Sequence, residues 1–271
     1  MEIAATDPQP TREQNPVVTL KGIHKSFGDF TVLQGVDLEI QCGETLVVIG
    51  RSGTGKSVTI RHIVGLLDPD QGTVSVFDQS YAKMSKRARK ELSLRLGYLF
   101  QSGALLNWMT VAENVALPLL EHRHDVSPKE RRERVYEKLR LVHMEDAGNK
   151  YPSEISGGMK KRAALARATV LDPEIILYDE PTSGLDPVIA NTINELIIHT
   201  QEVLNATQVV VTHDMESAYK VGDRIAMLYK GKIIAVGTPQ EIRTSENSIV
   251  QQFITGSTSG PMSQDEEITA S

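Results

Sequence analysis

Eight consecutive residues, Gly50-Arg51-Ser52-Gly53-Thr54-Gly55-Lys56-Ser57, have the types and spacing that suit phosphate binding. They fit G-x-x-x-x-G-K-[ST]. Glycines let the backbone wrap an anion and turn its N–H groups inward, and a following helix adds its positive N-terminal end. In such a loop Lys56 reaches the β- and γ-phosphates of a nucleotide, and Ser57 Oγ binds Mg²⁺. Thr45–Ile49 before the loop reads as a buried strand. Ser57–Leu67 after it reads as a helix with Ile60, Ile63, Val64 and Leu67 on one face. Strand, loop and helix in that order separate a nucleotide loop from a plain glycine-rich turn.

A second set of residues could complete such a site. Glu174-Ile175-Ile176-Leu177-Tyr178-Asp179-Glu180 is an apolar strand ending in two acids. Asp179 stands where a Mg²⁺-holding aspartate belongs, and Glu180 can face the γ-phosphate and polarise an attacking water. Val209-Val210-Val211-Thr212-His213 is a strand ending in histidine, either structural or in reach of the γ-phosphate. Gln101 ends the strand Leu96–Phe100 and could touch Mg²⁺ or water. Ser156-Gly157-Gly158 opens another helix, as an ordinary N-cap or as a second anion site. Phe27 could stack on an adenine ring or pack in the core.

Strands must deliver these residues to one edge. Short apolar strands alternate with amphipathic helices, the signature of an α/β fold with a largely parallel sheet. The candidate strands are Val17–Leu20, Val36–Ile40, Thr45–Ile49, Thr73–Val76, Leu96–Phe100, Ile175–Tyr178, Gln208–Thr212, Arg224–Tyr229 and Lys232–Val236. From Gly103 the strand signal gives way to helix signals, including the capping boxes at Thr110-Val111-Ala112-Glu113 and Ser127-Pro128-Lys129-Glu130. This block, about 103–165, reads as an inserted α-helical subdomain. Asp186-Pro187 opens a helix to about Leu204, and Thr238-Pro239-Gln240-Glu241 caps a short one.

The chain has 271 residues, 40% of them hydrophobic, which suits one α/β domain with an insertion. A formal charge of −6 argues against a broad nucleic-acid footprint, so no nucleic-acid partner is expected. Residues 1–16 lack the basic start and apolar core of a signal peptide. No apolar run approaches the ~18 residues of a membrane span. A cytoplasmic protein that meets a membrane only through a partner is expected. The single cysteine, Cys42, cannot make an internal disulfide. Residues 256–271 read as a flexible tail or, given the apolar Phe253-Ile254 before it, as a docking peptide.

Gln101, Ser156-Gly157-Gly158, Asp179-Glu180 and His213, in this order after the phosphate loop, resemble the ATP-binding cassette (ABC) family over about residues 17–255. The resemblance implies a P-loop NTPase fold, a RecA-like core with an antiparallel β subdomain. It implies an ATPase in which ATP and Mg²⁺ close a head-to-tail homodimer. Catalysis would fall to Glu180, His213 and Gln101. The metal would fall to Ser57, Gln101 and Asp179. The nucleotide would fall to Phe27, Gly50, Arg51, Ser52, Gly53, Thr54, Gly55, Lys56, Ser57, Val58 and to Ser156, Gly157 and Gly158. Ser183-Gly184-Leu185-Asp186 would be the loop that crosses the dimer.

The family's signature usually runs Leu-Ser-Gly-Gly-Gln, and here Ile155 and Met159 stand at its ends. The Ser-Gly-Gly-Met variant is similar to the ATPases of Mla-type, MCE-associated lipid transporters. So are Phe100–Leu106, Glu113–Leu119 and Phe253–Gly256 with Gly260-Pro261. That similarity implies a membrane permease, an MCE-domain protein, a small STAS-domain subunit and phospholipid cargo, at the cytoplasmic face of the inner membrane. An importer ATPase for small polar solutes is the alternative, and a soluble cassette ATPase not tied to transport a weaker one. The charge-rich runs Lys86–Lys90 and Lys129–Arg140 read as solvated helix faces. His122, His124 and Asp125 match no closed zinc site. Leu105, Leu106, Trp108 and Met109 are either core or the lining of a partner groove.

Overall fold

The computed structural model describes residues 16–263. Of the two segments expected to be flexible, residues 1–15 and 264–271 lie outside the described residues. The chain begins with β1 (Val18–Phe27), β2 (Phe30–Ile40) and β3 (Thr45–Ile49), then α1 (Lys56–Ile63). It continues through β4 (Gln71–Val76), β5 (Gln79–Ser80), α2 (Lys86–Ser93) and β6 (Leu96–Leu99). Three helices follow: α3 (Val111–His122), α4 (Pro128–Leu141) and α5 (Gly157–Thr169). The rest is β7 (Ile175–Asp179), α6 (Pro187–Leu204), β8 (Thr207–Thr212), α7 (Met215–Val221), β9 (Arg224–Tyr229), β10 (Lys232–Gly237), α8 (Pro239–Arg243) and α9 (Ser248–Thr255).

Two sheets form. One is antiparallel, in the order β2-β1-β4-β5; the other runs β10-β9-β3-β8-β7-β6. In the larger sheet β6, β7, β8, β3 and β9 are parallel, and β10 closes the edge antiparallel to β9. Strands covered on both faces should be apolar throughout, and every residue of β3, β7 and β8 is buried. Alternate residues feed opposite cores. Val47 and Ile49 pack with the inserted helices, while Leu46 and Val48 pack with the antiparallel sheet and α1. Each such fully buried side chain contributes roughly 1.5–3 kcal/mol. This is the α/β P-loop architecture the sequence implies.

Helices α3, α4 and α5 leave the large sheet after β6 and return to it at β7. Val115, Leu119, Val135 and Leu139 carry their shared core. Thr110 and Glu113 cap α3 reciprocally, as the sequence predicts. Buried Asn114 then pins the segment before it. Its Oδ1 accepts from Leu106 N at 2.7 Å, and its Nδ2 donates to the carbonyls of Leu106, Met109 and Thr110. Leu105 packs on the core, whereas Trp108 is 73% exposed.

Several elements differ from expectation. Helix α1 stops at Ile63 rather than Leu67, because Gly65 turns to a φ of +74° and Tyr81 Oη donates to Ile63 O at 2.8 Å. Strands β1 and β2 are longer than their apolar cores. Register shifts flank Gly22 and Gly35, so the alternation that marks a strand breaks midway. The flexible stretch does not begin at Gly256. Met262 is 5% exposed in the core, its N–H donating to Gln252 Oε1 at 2.7 Å. Gln252 Nε2 also donates to Ser263 Oγ at 2.9 Å.

Candidate functional site

The parallel pairing of β3, β8, β7 and β6 brings their carboxyl ends to one edge. Gly50, His213, Glu180 and Phe100-Gln101 therefore leave the sheet side by side, at the edge where open α/β sheets bind ligands.

The loop after β3 has the backbone its glycines predict. Gly50 has a φ of +153°, and a Cβ there would collide with Leu228 O. Gly55, the residue before α1, has a φ of +103°, and a Cβ would come within 2.7 Å of Leu33 Cδ2. Only glycine fits both positions. Lys56 is buried and donates from Nζ to the carbonyls of Gly50 at 2.8 Å and Arg51 at 3.0 Å. Glu180 Oε1 lies 3.5 Å from the same Nζ. Burial pulls the Lys56 ammonium below its ordinary value, and Glu180 opposes that pull.

Ser57 Oγ donates to Asp179 Oδ1 at 2.6 Å. Asp179 Oδ2 accepts from Tyr98 Oη at 3.0 Å. Burial, and then the carboxylate, push the Tyr98 phenol up, so it stays a donor. Glu180 is 7% exposed and adopts a φ of +49°, uncommon for a residue with a side chain. Its N–H donates to Val211 O at 2.9 Å, tying the turn to β8. Glu180 Oε2 lies 2.9 Å from His213 Nδ1.

The structure thus brings together Lys56, Ser57, Asp179, Glu180 and His213. Phe27 is 49% exposed and lines a shallow cavity with Val32, Gly53, Gly55, Lys56, Ser57 and Val58. Arg51, Ser52 and Gly53 form the exposed arc of the loop, and half-buried Thr54 donates from Oγ1 to Arg51 O at 2.8 Å. Gln101 is exposed, and its carbonyl accepts from Lys161 Nζ. Ser156 caps α5, its Oγ accepting from Met159 N at 3.3 Å. Among the described residues no hydrogen bond or ion pair joins Ser156, Gly157 or Gly158 to the phosphate loop. Gly158 instead lies against α6, where a Cβ would come within 2.5 Å of Ile189 Cγ2. Met159 packs on the core as an apolar residue.

Sequence reasoning missed two residues. Tyr98 sits within β6 and signals itself only by alternation, as the polar-tipped residue between Gly97 and Leu99. Lys161 is a cation at a buried position of α5, three residues after buried Gly158 and four before buried Leu165. That spacing, a charge on the apolar face, is the signal that could have found it.

The donor chemistry suits Mg²⁺. A serine hydroxyl and a carboxylate in direct contact offer hard oxygen ligands of the kind Mg²⁺ takes. No group of three or more His, Cys, Asp or Glu that could hold another metal occurs among the described residues.

Residues 33–183 match the ABC transporter family. The "Probable ribonucleotide transport ATP-binding protein mkl" of Mycobacterium leprae (strain TN) is 41% identical over 250 residues, 92% of this chain and 72% of that protein. The "Intermembrane phospholipid transport system ATP-binding protein MlaF" of Haemophilus influenzae is 37% identical over 246 residues, 91% of this chain and 93% of that one. Among solved structures, the dimeric ATP-binding cassette MJ0796 in a post-hydrolysis state with ADP and Pi superposes with a TM-score of 0.75 at 34% identity. It covers 82% of this chain and 98% of that one. The chain belongs to the ABC transporter family. It is an ATP-binding cassette ATPase, and its relatives include the Mla type.

Proposed function

We propose that this chain is the ATP-hydrolysing subunit of a phospholipid transporter, acting as a homodimer beneath a membrane permease. The observation that carries the reading is the contact of Ser57 with Asp179 beside the Lys56–Glu180–His213 group at one sheet edge. The loop amides and Lys56 bind the phosphates, and Phe27 with Val58 and Val32 receives the adenine. Mg²⁺, held by Ser57 and Asp179 with Gln101 at hand, supplies charge neutralisation on the phosphate oxygens when bound. Glu180 orients and polarises the attacking water. His213, at Glu180 Oε2, keeps that carboxylate turned toward the γ-phosphate. Ser156, Gly157 and Gly158 serve the nucleotide of the other chain, so a two-fold pair completes two sites.

Lipid cargo, an MCE-domain partner, a small STAS-domain subunit and the cytoplasmic face of the inner membrane rest on likeness to MlaF. No helix among the described residues is long and apolar enough to cross a membrane. The mycobacterial relative, a probable ribonucleotide transport protein by its name, supports a second reading, an ATPase serving a polar solute. Purifying the complex from membranes and identifying its co-eluting proteins and lipids distinguishes the two. The ATPase itself is tested with Lys56→Ala, which should bind ATP at least ~100-fold more weakly and not hydrolyse it. Undiminished turnover in that variant overturns the assignment.

A further inference from the structure

We propose that Lys161 is a positioning residue that ties the catalytic segments of one nucleotide site to the helix whose N-terminus serves the other. The proposal rests on the dimeric ATPase reading above. Lys161 is 6% exposed, and its Nζ donates to two main-chain carbonyls, those of Gln101 and of Glu180, the latter at 3.0 Å. These residues leave the sheet just past β6 and β7, so one ammonium staples two neighbouring strand exits. No carboxylate forms an ion pair with it among the described residues. A buried ammonium bonded to carbonyls alone is a costly way to fill space. A neutral or apolar side chain would pack α5 at lower cost. The geometry points to what the charge does: it holds Gln101 and Glu180 in fixed relation to α5.

A second cation acts on the same segment. Arg167, six residues further along α5, donates to Gly103 O at 2.7 Å and Ala104 O at 2.6 Å. The whole exit from Gln101 to Ala104 is thereby gripped from one helix. Glu180 has little freedom of its own, since its N–H is held by Val211 and its φ is +49°. Displacement of its carbonyl therefore swings its carboxylate relative to His213. The N-terminus of α5 is capped by Ser156, about 7.5 Å from Lys161 along the helix axis. A helix of one and a half turns is stiff over that distance. Whatever engages Ser156 from the partner's site shifts Lys161, and with it Glu180 and Gln101 of the chain's own site. The two hydrolysis events are coupled through this helix in each direction.

The test uses full-length dimer carrying Lys161→Met, which keeps the stem and removes the donors, and Lys161→Arg, which restores them. Lys161→Met should lower kcat about 10-fold or more, leave ATP affinity within about twofold, and bring the Hill coefficient for ATP toward 1. Lys161→Arg should recover kcat to within about threefold of wild type. Hydrogen exchange gives a readout apart from turnover. In wild type, ATP should slow exchange across residues 101–106 and at the phosphate loop; in Lys161→Met only the loop should respond. Unchanged kcat and cooperativity in Lys161→Met, or equal loss in both variants, overturns the proposal. Should Lys161→Met fail to fold, Lys161→Gln carries the same expected losses and the same overturning results. Hydrolysis surviving in a Lys56→Ala control would instead remove the ATPase reading itself, so the two failures are told apart.

Discussion

Ser57 Oγ and Asp179 Oδ1 meet at 2.6 Å although β8 lies between the strands that deliver them. The contact therefore reports the alignment of β3, β8 and β7 as a unit. Asp179→Asn preserves shape and the Tyr98 contact but removes the carboxylate charge. The expected outcome is loss of the magnesium dependence of ATP affinity, measured with and without chelator, and turnover lower by ~10²-fold or more. An affinity that still responds to magnesium as wild type does would dissociate Asp179 from the metal.

Glu180→Gln should keep ATP binding and slow turnover at least ~100-fold. With hydrolysis blocked, the ATP-bound dimer should accumulate, visible as a doubled mass in ultracentrifugation. Wild-type rates would remove Glu180 from the role of base.

The α3 cap gives a pH signature. Hydrogen bonds from Thr110 N and Oγ1 hold the Glu113 carboxyl below its ordinary value of 4.5. A depressed folded value means that the contribution is fully present above pH 4.5 and is lost as pH falls through the folded value. The thermal midpoint of wild type should exceed that of Glu113→Gln by a constant margin near neutrality. That margin should narrow below pH 4.5. A margin independent of pH would show that the cap does not depend on the carboxylate charge.

Much of this was legible because the chemistry sits where strands end. β3 and β9 have the limits read from the sequence, since Gly50 and Lys230-Gly231 mark their ends with positive φ. Asp179, Glu180 and His213 stand at the ends of apolar runs, Lys56 closes the glycine loop that leaves another, and a sheet whose strands are parallel must collect them at one edge. What stayed hidden depends on partners far along the chain. Tyr98 is defined by a carboxylate 81 residues away, and Lys161 by a carbonyl 60 residues away. Local pattern marks each only as a polar residue in an apolar setting and does not name its partner. The folding back of Met262 onto Gln252 was equally invisible, because a serine- and glycine-rich stretch reads as disorder unless its anchor is seen. Strands β1 and β2 outrun their apolar signal because register shifts at Gly22 and Gly35 interrupt its period.

The interleaving of β3 has a further implication. Since Leu46 and Val48 face one core while Val47 and Ile49 face the other, a slip of β3 by a single position would exchange the occupants of both. It would also carry Gly50 and Lys56 about 3.3 Å past Glu180, roughly the separation on which their ion pair depends. Folding fidelity and enzymatic competence are thus one property at this strand. A misregistered molecule would retain every reactive group and still be inert.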